Sequence, residues 1–451
     1  MHTPHINLIG AGLAGSLMAV YLARKGYRTT VFERRPDMRL GGVSAGRSIN
    51  LALSARGLHA LQETGLYEEI MPLAIPMYGR MVHPVDGTPN FQPYSSDGQQ
   101  CIYSVSRGEL NKRLMTLAES FPGVEIRFQH TCEAVDLDSG AIRLRDQATG
   151  QLADAPGSIT LACDGAFSAV RYAMQKLPRF NFSQDYLEHG YKELTIPPDA
   201  GGQFRMEPNA LHIWPRESFM MIALPNPDGT FTCTLFLAFD GDSQSFAALD
   251  TPDRVRAFFR EQFPDALALM PELETEFFEN PTSALVTMRC YPWTAGSRIA
   301  LIGDAAHAIV PFFGQGMNAA FEDCSALSRL IDLYAPDWPR ILSDYQALRK
   351  PNAEAIADMA LENFIEMRDL VSDPEFRFRK RIEHQLGQRF PQYRTRYELV
   401  SFTRIPYEEA RQRGERNDWL VDELIARGLS DPDALDFGLA EELMEEYLAD
   451  A

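Results

Sequence analysis

The stretch that most constrains this chain is its beginning. A short apolar strand pattern at 5–9 runs into Gly10-Ala11-Gly12-Leu13-Ala14-Gly15, and a helical pattern over 13–24 follows with Leu17, Val20 and Tyr21 inward. A second strand pattern at 29–32 ends in Glu33. Glycines at this spacing allow a tight turn and a close approach of backbone N–H groups to a pyrophosphate at the positive end of the helix. An acid at the end of the second strand, about 20 residues on, suits a ribose hydroxyl. Strand, glycines, helix, strand and acid together predict a βαβ unit holding an adenine dinucleotide, with Gly10, Gly12, Gly15 and Glu33 around it. Arg34 and Arg35 read as solvated charges, because Glu33 repels a 2′-phosphate.

A second glycine-bearing helix start lies far downstream. The apolar run 299–302 reads as a buried strand, and Gly303-Asp304 ends it with an acid at its tip. A Pro/Gly turn over 311–316 leads into a helix from Met317, with Ala320, Leu327 and Leu330 apolar. The bare N–H groups at Gly316, Met317 and Asn318 offer a place for a flat, anionic group to lie without meeting a Cβ atom.

Between these ends the chain alternates. Residues 46–54 read as a polar loop with Arg47 and Asn50 against the cofactor, a plain surface loop being the alternative. A strand ends near Ser106, which caps a helix to about 120 with Glu109 as its capping-box partner. Segments 124–128, 132–137, 141–144 and 159–162 read as one β-meander. A strand then ends at Asp164-Gly165, where Asp164 is equally well a turn residue, and a helix starts near Ser168. Segments 190–196, 212–215, 219–224 and 231–239 form a separate sheet, with a hairpin signal at 225–229. From Pro351 the pattern is helical, over 353–371 and 375–388, followed by an acidic tract at 418–450. The fold class is therefore α/β. A discontinuous Rossmann-like domain (1–70, 98–180, 290–345) carries an inserted, mainly antiparallel β-sheet domain (71–97, 181–289) and a C-terminal helical region (346–451).

Composition excludes several functions. With 43 Lys and Arg against 62 Asp and Glu, the formal charge of −19 disfavours nucleic acid and anionic membrane surfaces. The six cysteines lack Cys-x-x-Cys spacing and read as reduced thiols, with no metal site. The chain starts almost directly on its first strand and has no run of about 18 apolar residues, so no signal peptide, no spanning helix and a cytoplasmic location are expected. The assembly is expected to be a monomer or a homodimer.

Three signals in this order and at wide spacing, Gly10-x-Gly12-x-x-Gly15, Asp164-Gly165 and Gly303-Asp304, resemble the single-component FAD-dependent aromatic hydroxylases of the para-hydroxybenzoate hydroxylase class. The resemblance implies bound FAD and a visiting NADPH without its own Rossmann domain, since no second Gly-x-Gly-x-x-Gly exists. Further blocks, Arg47-Ser48-Ile49-Asn50, Gly79-Arg80-Met81-Val82-His83, His189-Gly190-Tyr191-Lys192 and Ala360-Leu361-Glu362-Asn363-Phe364, resemble the branch of that family whose substrate is L-kynurenine, with O2 as oxidant. By that resemblance the substrate's amino-acid end falls on Arg80, Tyr94, Asn363 and Tyr397. Phe236 and Phe312 read equally as pocket lining or plain core, and Met367 is expected beside the substrate. Cofactor contacts extend to Leu13, Arg34, Arg47, Ala52, Arg107, Asp164, Asp304, Gly316, Met317 and Asn318. The resemblance assigns no catalytic side chain, because the flavin carries the chemistry. His307 reads as a packed residue. Two alternatives stay open: a flavin hydroxylase of a salicylate- or phenol-type ring, and an FAD-binding reductase of isoprenoid chains.

Overall fold

The structure, a computed structural model, describes residues 4–41, 50–85, 87–95, 98–156, 159–366 and 374–449. Arg47 and Met367 lie outside these residues. The chain forms two compact units, the first of Met1–Ile75, Tyr103–Glu188 and Thr282–Ala357, the second of Pro76–Ile102, His189–Pro281 and Asp358–Ala451.

The first unit is built on a six-stranded sheet in the order Thr294–Ala295, Ile299–Leu301, Ile159–Ala162, Ile6–Ile9, Thr29–Phe32, Val124–Arg127. All neighbours are parallel except the first pair. The strands Ile6–Ile9, Thr29–Phe32 and Ile159–Ala162 are buried at every residue, as strands of a doubly covered parallel sheet must be. Register decides where the signals meet. Ile9 is paired with Phe32 on one side and Ala162 on the other, and Ala162 is paired with Leu301. Gly10, Glu33, Asp164 and Gly303 therefore all follow their strands at the same carboxyl edge, where ligands bind in open α/β sheets.

Three expectations need correction here. Val124–Arg127 and Ile159–Ala162 belong to this parallel sheet, so 124–162 is not one meander. A separate antiparallel sheet is made by His130–Val135, Ile142–Asp146 and the unanticipated strand Leu152–Ala155. Residues Asn50–Leu53 form a strand antiparallel to Ile102–Ser106, not a loop. The helix assigned from Pro351 starts at Trp338 and runs through the proline to Ile365. Buried Ile341, Leu342 and Tyr345 before the proline, and Ala353 and Ile356 after it, supply the packing that outweighs one lost backbone bond.

In the second unit, strands are ordered Asn181–Ile196, Phe231–Ala238, Phe219–Pro225, Leu211–Arg216, Gly79–Val82, Asn90–Pro93. Only Gly79–Val82 and Leu211–Arg216 run parallel. Side-chain alternation gives this sheet two different faces. Trp214, Met221, Leu235 and Leu194 point to one face, into a core with Phe258, Phe259, Phe263 and Phe277 of the helices after residue 251. Cα pairing of Leu211 with Arg80, Pro215 with Met220 and Met220 with Phe236 puts Arg80 and Phe236 on the opposite face. The C-terminal helices Pro374–Arg389, Tyr407–Ala426 and Phe437–Ala449 add a satellite core around Leu386, Leu420 and Leu443.

The aromatic core also buries polar groups. His83 donates to or accepts from His212 Nδ1 at 2.8 Å and bonds the Asp265 carboxylate at 2.6 Å while stacking on Trp214. Burial holds His212 neutral and pulls its pKa down to about 4, against about 6.5 when unfolded. The unfolded chain then binds more protons between these values, so stability rises with pH there and falls as pH drops from about 6.5 towards about 4. We expect His212 to contribute up to about 1.4 kcal/mol per pH unit to that slope. Urea unfolding across this window checks it, and a His212→Gln variant with an unchanged slope would remove the assignment.

Candidate active site

The three glycines of the first turn have different tasks. Gly10 has φ +96°, and a Cβ there would meet the Cys163 carbonyl at 2.6 Å. A Cβ on Gly15 would lie 1.9 Å from the Gly10 carbonyl, so Gly15 lets the helix Leu13–Arg24 sit against the strand. Gly12 caps that helix with ordinary φ, without a side-chain cap, and a Cβ on it would meet nothing within 4 Å among the described residues. Its open side, unfilled by the described residues, lies at the positive end of a helix with no acid in its first turn. Leu13 is the first residue of the helix and is half-buried.

Around this turn the carboxylates differ. Glu33 accepts from the Ala11 N–H at 2.8 Å and from Arg35 Nε at 2.8 Å. Burial alone would raise its pKa, but Arg35 outweighs it and holds the carboxyl below its usual range. Arg35 is thus an ion-pair partner and not the purely solvated charge expected, while Arg34 is exposed. Asp164 accepts from the Ala169 N–H at 2.7 Å through one oxygen, while its other oxygen is buried with no partner among the described residues. Burial pushes this carboxyl up. Arg107 and Asp304 are exposed first residues of their helices. Ser106 caps Arg107–Glu119 through the Glu109 N–H, whereas the Glu109 carboxylate pairs with Lys112 at 2.7 Å.

At the second helix start Gly314 takes φ +65°, and Gly316–Tyr334 opens with no side-chain cap and no acid in its first turn. Met317 and Asn318 are buried in that first turn. The Asn318 side chain is fully occupied by the protein. Its oxygen accepts from the Ser54 and Gly57 N–H groups at 3.0 and 3.2 Å, and its amide donates to the Ala52 and Gly314 carbonyls at 2.8 and 2.9 Å. Asn318 therefore fixes the turn, leaving only backbone N–H groups to face a ligand. Asn318→Asp would set a buried carboxylate against two carbonyl oxygens. We expect it to cost about 1–3 kcal/mol of stability, read as a lowered Tm together with weaker flavin retention. His307 is a packed residue as expected, buried, bonded to Asp323 at 2.6 Å and stacked on Trp293. Phe312 is buried in the short turn Pro311–Phe313 of the same unit.

The second unit gathers Arg80, Tyr94 and Tyr397. The Arg80 guanidinium lies 4.6 Å from the Tyr397 ring centre and 5.9 Å from that of Tyr94, and the two tyrosines stack at 5.1 Å. Arg80 Nε and the Tyr94 hydroxyl are both buried with no hydrogen-bond partner among the described residues. Burial acts to lower the Arg80 pKa, but Tyr397, Tyr94 and Glu366 outweigh it and hold the cation firmly. Burial also pushes the Tyr94 hydroxyl well above its ordinary value, so it stays a neutral donor. Two buried donors without a partner among the described residues, one of them cationic, have the chemistry to receive an anion. Asn363 is buried near the end of Trp338–Ile365, and Phe236 lies on the Arg80 face of the sheet. Phe402, unanticipated, completes the aromatic stack at 5.9 Å from Tyr94 and 6.0 Å from Tyr397. It lies five residues from Tyr397 on the short helix Arg396–Phe402, a spacing that does not share a helix face, so no periodicity singles it out. No group of described residues could hold a metal ion, and no described helix is long and apolar enough to cross a membrane.

Comparison with known proteins gives concordant results. The family model described as "FAD binding domain" matches residues 3–360. The chain is 52% identical to a kynurenine 3-monooxygenase of Myxococcus xanthus, over 98% of this chain and 95% of that protein. It is 48% identical to the kynurenine 3-monooxygenase of Dictyostelium discoideum, over 98% of each. Among solved structures, a p-nitrophenol 4-monooxygenase from Pseudomonas putida shares the fold with TM-score 0.68 at 19% identity, over 90% of this chain and 100% of that one. The chain belongs to the FAD-binding flavoprotein monooxygenases and, within them, to the kynurenine 3-monooxygenase family.

Proposed function

We propose that the chain hydroxylates L-kynurenine to 3-hydroxy-L-kynurenine, using bound FAD, NADPH as co-substrate and O2. The observation that carries the substrate assignment is a pair of buried donors, Arg80 Nε and the Tyr94 hydroxyl, that find no hydrogen-bond partner among the described residues. A free amino-acid carboxylate satisfies both, and a planar guanidinium is the side chain best shaped for it. Tyr397 and Asn363 would complete the amino-acid end, and Phe236, on the same face of the sheet as Arg80, would border the ring.

The residues present fit FAD. Gly10, Gly12, Leu13 and Gly15 would hold the pyrophosphate, with Glu33, Arg34 and Arg107 toward the adenosine and Ala52, Asp164 and Asp304 toward the remainder. The open side of Gly12 and the unpartnered Asp164 oxygen support this assignment. The backbone at Gly316, Met317 and Asn318 would stabilise negative charge on the flavin ring. When bound, the flavin supplies the reduction of O2 and the transfer of one oxygen atom to the substrate ring. Everything else is binding and orientation by the chain. Arg80 and Tyr94 anchor the carboxylate, which fixes the distance of the ring from its anchor. The ring is an aniline activated by its own amino group, so no protein base is required to deprotonate it.

NADPH oxidation under air tests the substrate class. L-kynurenine should stimulate it strongly, with hydroxylated product formed. Stimulation by salicylate or simple phenols but not by L-kynurenine would overturn the assignment in favour of another aromatic ring.

A further inference from the structure

The short helix Arg396–Phe402 carries both Tyr397 and Phe402 of the aromatic stack, and seven residues cannot hold themselves in place. Three ties fix it within its unit. Thr395 and Glu398 form a reciprocal capping box at its start. Asn417 donates to the Arg394 carbonyl at 2.7 Å. Arg396 reaches further than either, donating to Glu362 at 2.6 Å with one nitrogen and to Asp418 with another. Its stem lies over Gly414, where a Cβ would come within 2.5 Å of Nε and 3.0 Å of Cγ. One guanidinium therefore links three helices, Trp338–Ile365, Arg396–Phe402 and Tyr407–Ala426.

The partners matter because of their neighbours. Arg396 precedes Tyr397, and Glu362 precedes Asn363. We propose that Arg396 is a positioning residue for the carboxylate end of the substrate, setting Tyr397 and Asn363 together through the Glu362–Arg396–Asp418 bridge. This rests on the assignment of Arg80, Tyr94, Tyr397 and Asn363 given under Proposed function. Magnitudes separate positioning from mere support. Glu362 and Asp418 are about half exposed, at 54% and 48%, and exposed ion pairs add little to stability. A displaced anchoring group, by contrast, can cost up to about 100-fold.

The test uses the holoenzyme and two substrates, L-kynurenine and its decarboxylated amine. Arg396→Gln should raise the KM for L-kynurenine roughly 10-fold, with kcat nearly unchanged and Tm nearly that of the parent. The KM for the amine, which has no carboxylate to anchor, should stay constant. Glu362→Gln should act in the same direction and carries the test if Arg396→Gln does not fold. An unchanged KM for L-kynurenine, or equal rises for both substrates, would overturn the positioning role. Arg80→Ala serves as reference: if it too leaves the KM for L-kynurenine unchanged, the carboxylate assignment itself has failed, whereas a large rise for Arg80→Ala alone isolates the failure to Arg396.

Discussion

Arg80→Ala should raise the KM for L-kynurenine by roughly 30- to 1000-fold, the equivalent of about 2–4 kcal/mol for truncating one partner of a buried charge pair. The size follows from what is left behind. Without the guanidinium, the substrate's carboxylate enters a buried site with the Tyr94 hydroxyl as its nearest donor, and desolvation is no longer offset. Arg80→Lys should fall between the two. A lysine keeps the charge but loses the planar fork and the stacking on Tyr397, which lies 4.6 Å from the guanidinium. Steady-state kinetics and a titration of the flavin spectrum with L-kynurenine both report the effect. An unchanged KM in Arg80→Ala would take Arg80 out of the site.

Gly12→Ala should separate folding from flavin binding. A methyl at Gly12 meets no atom of the described residues within 4 Å, and its backbone angles suit alanine, so the apoprotein should lose no more than about 1 kcal/mol. If the pyrophosphate occupies that space, the methyl crowds it, at a cost of about 1–3 kcal/mol or roughly 5- to 150-fold in FAD affinity. Gly15→Ala should do the opposite. Its methyl would lie 1.9 Å from the Gly10 carbonyl and would force the helix off the sheet, so the protein should not fold at all. The FAD content after desalting and the unfolding temperature of the apoprotein distinguish the cases. A Gly12→Ala protein that keeps its flavin at parental affinity would contradict the placement.

What could be read from the sequence was largely what is local. The strand, turn and helix at 5–33 lie within one βαβ unit, and their spacing alone specifies them. That Asp164 and Gly303 end on the same edge as Gly10 is a fact of strand register, which no local pattern encodes. The 124–162 stretch was read as a single meander for the same reason: strand patterns show periodicity but not partners. The letters do not separate the two cases: Ile159-Thr160-Leu161-Ala162 has a polar residue at its second place as Ile142-Arg143-Leu144 has, and only the fold buries the first at every residue. Asn50–Leu53 begins with a polar residue and becomes a strand only by pairing with Tyr103–Ser106, far along the chain. Arg80, Tyr94 and Tyr397 were singled out by resemblance, and only the fold brings them into one stack. Arg396 has no local signal, because its partners sit on two other helices. The Asn318 side chain makes four bonds to the surrounding turn, a role that depends on residues far away in the chain and has no local signal.

The most direct test is turnover of L-kynurenine with NADPH under isotopically heavy O2, with the product examined by mass spectrometry. The expected product carries one heavy oxygen atom, on the ring carbon beside the amino group. NADPH consumption that yields only hydrogen peroxide, or a product whose added oxygen is unlabelled, would contradict the assignment.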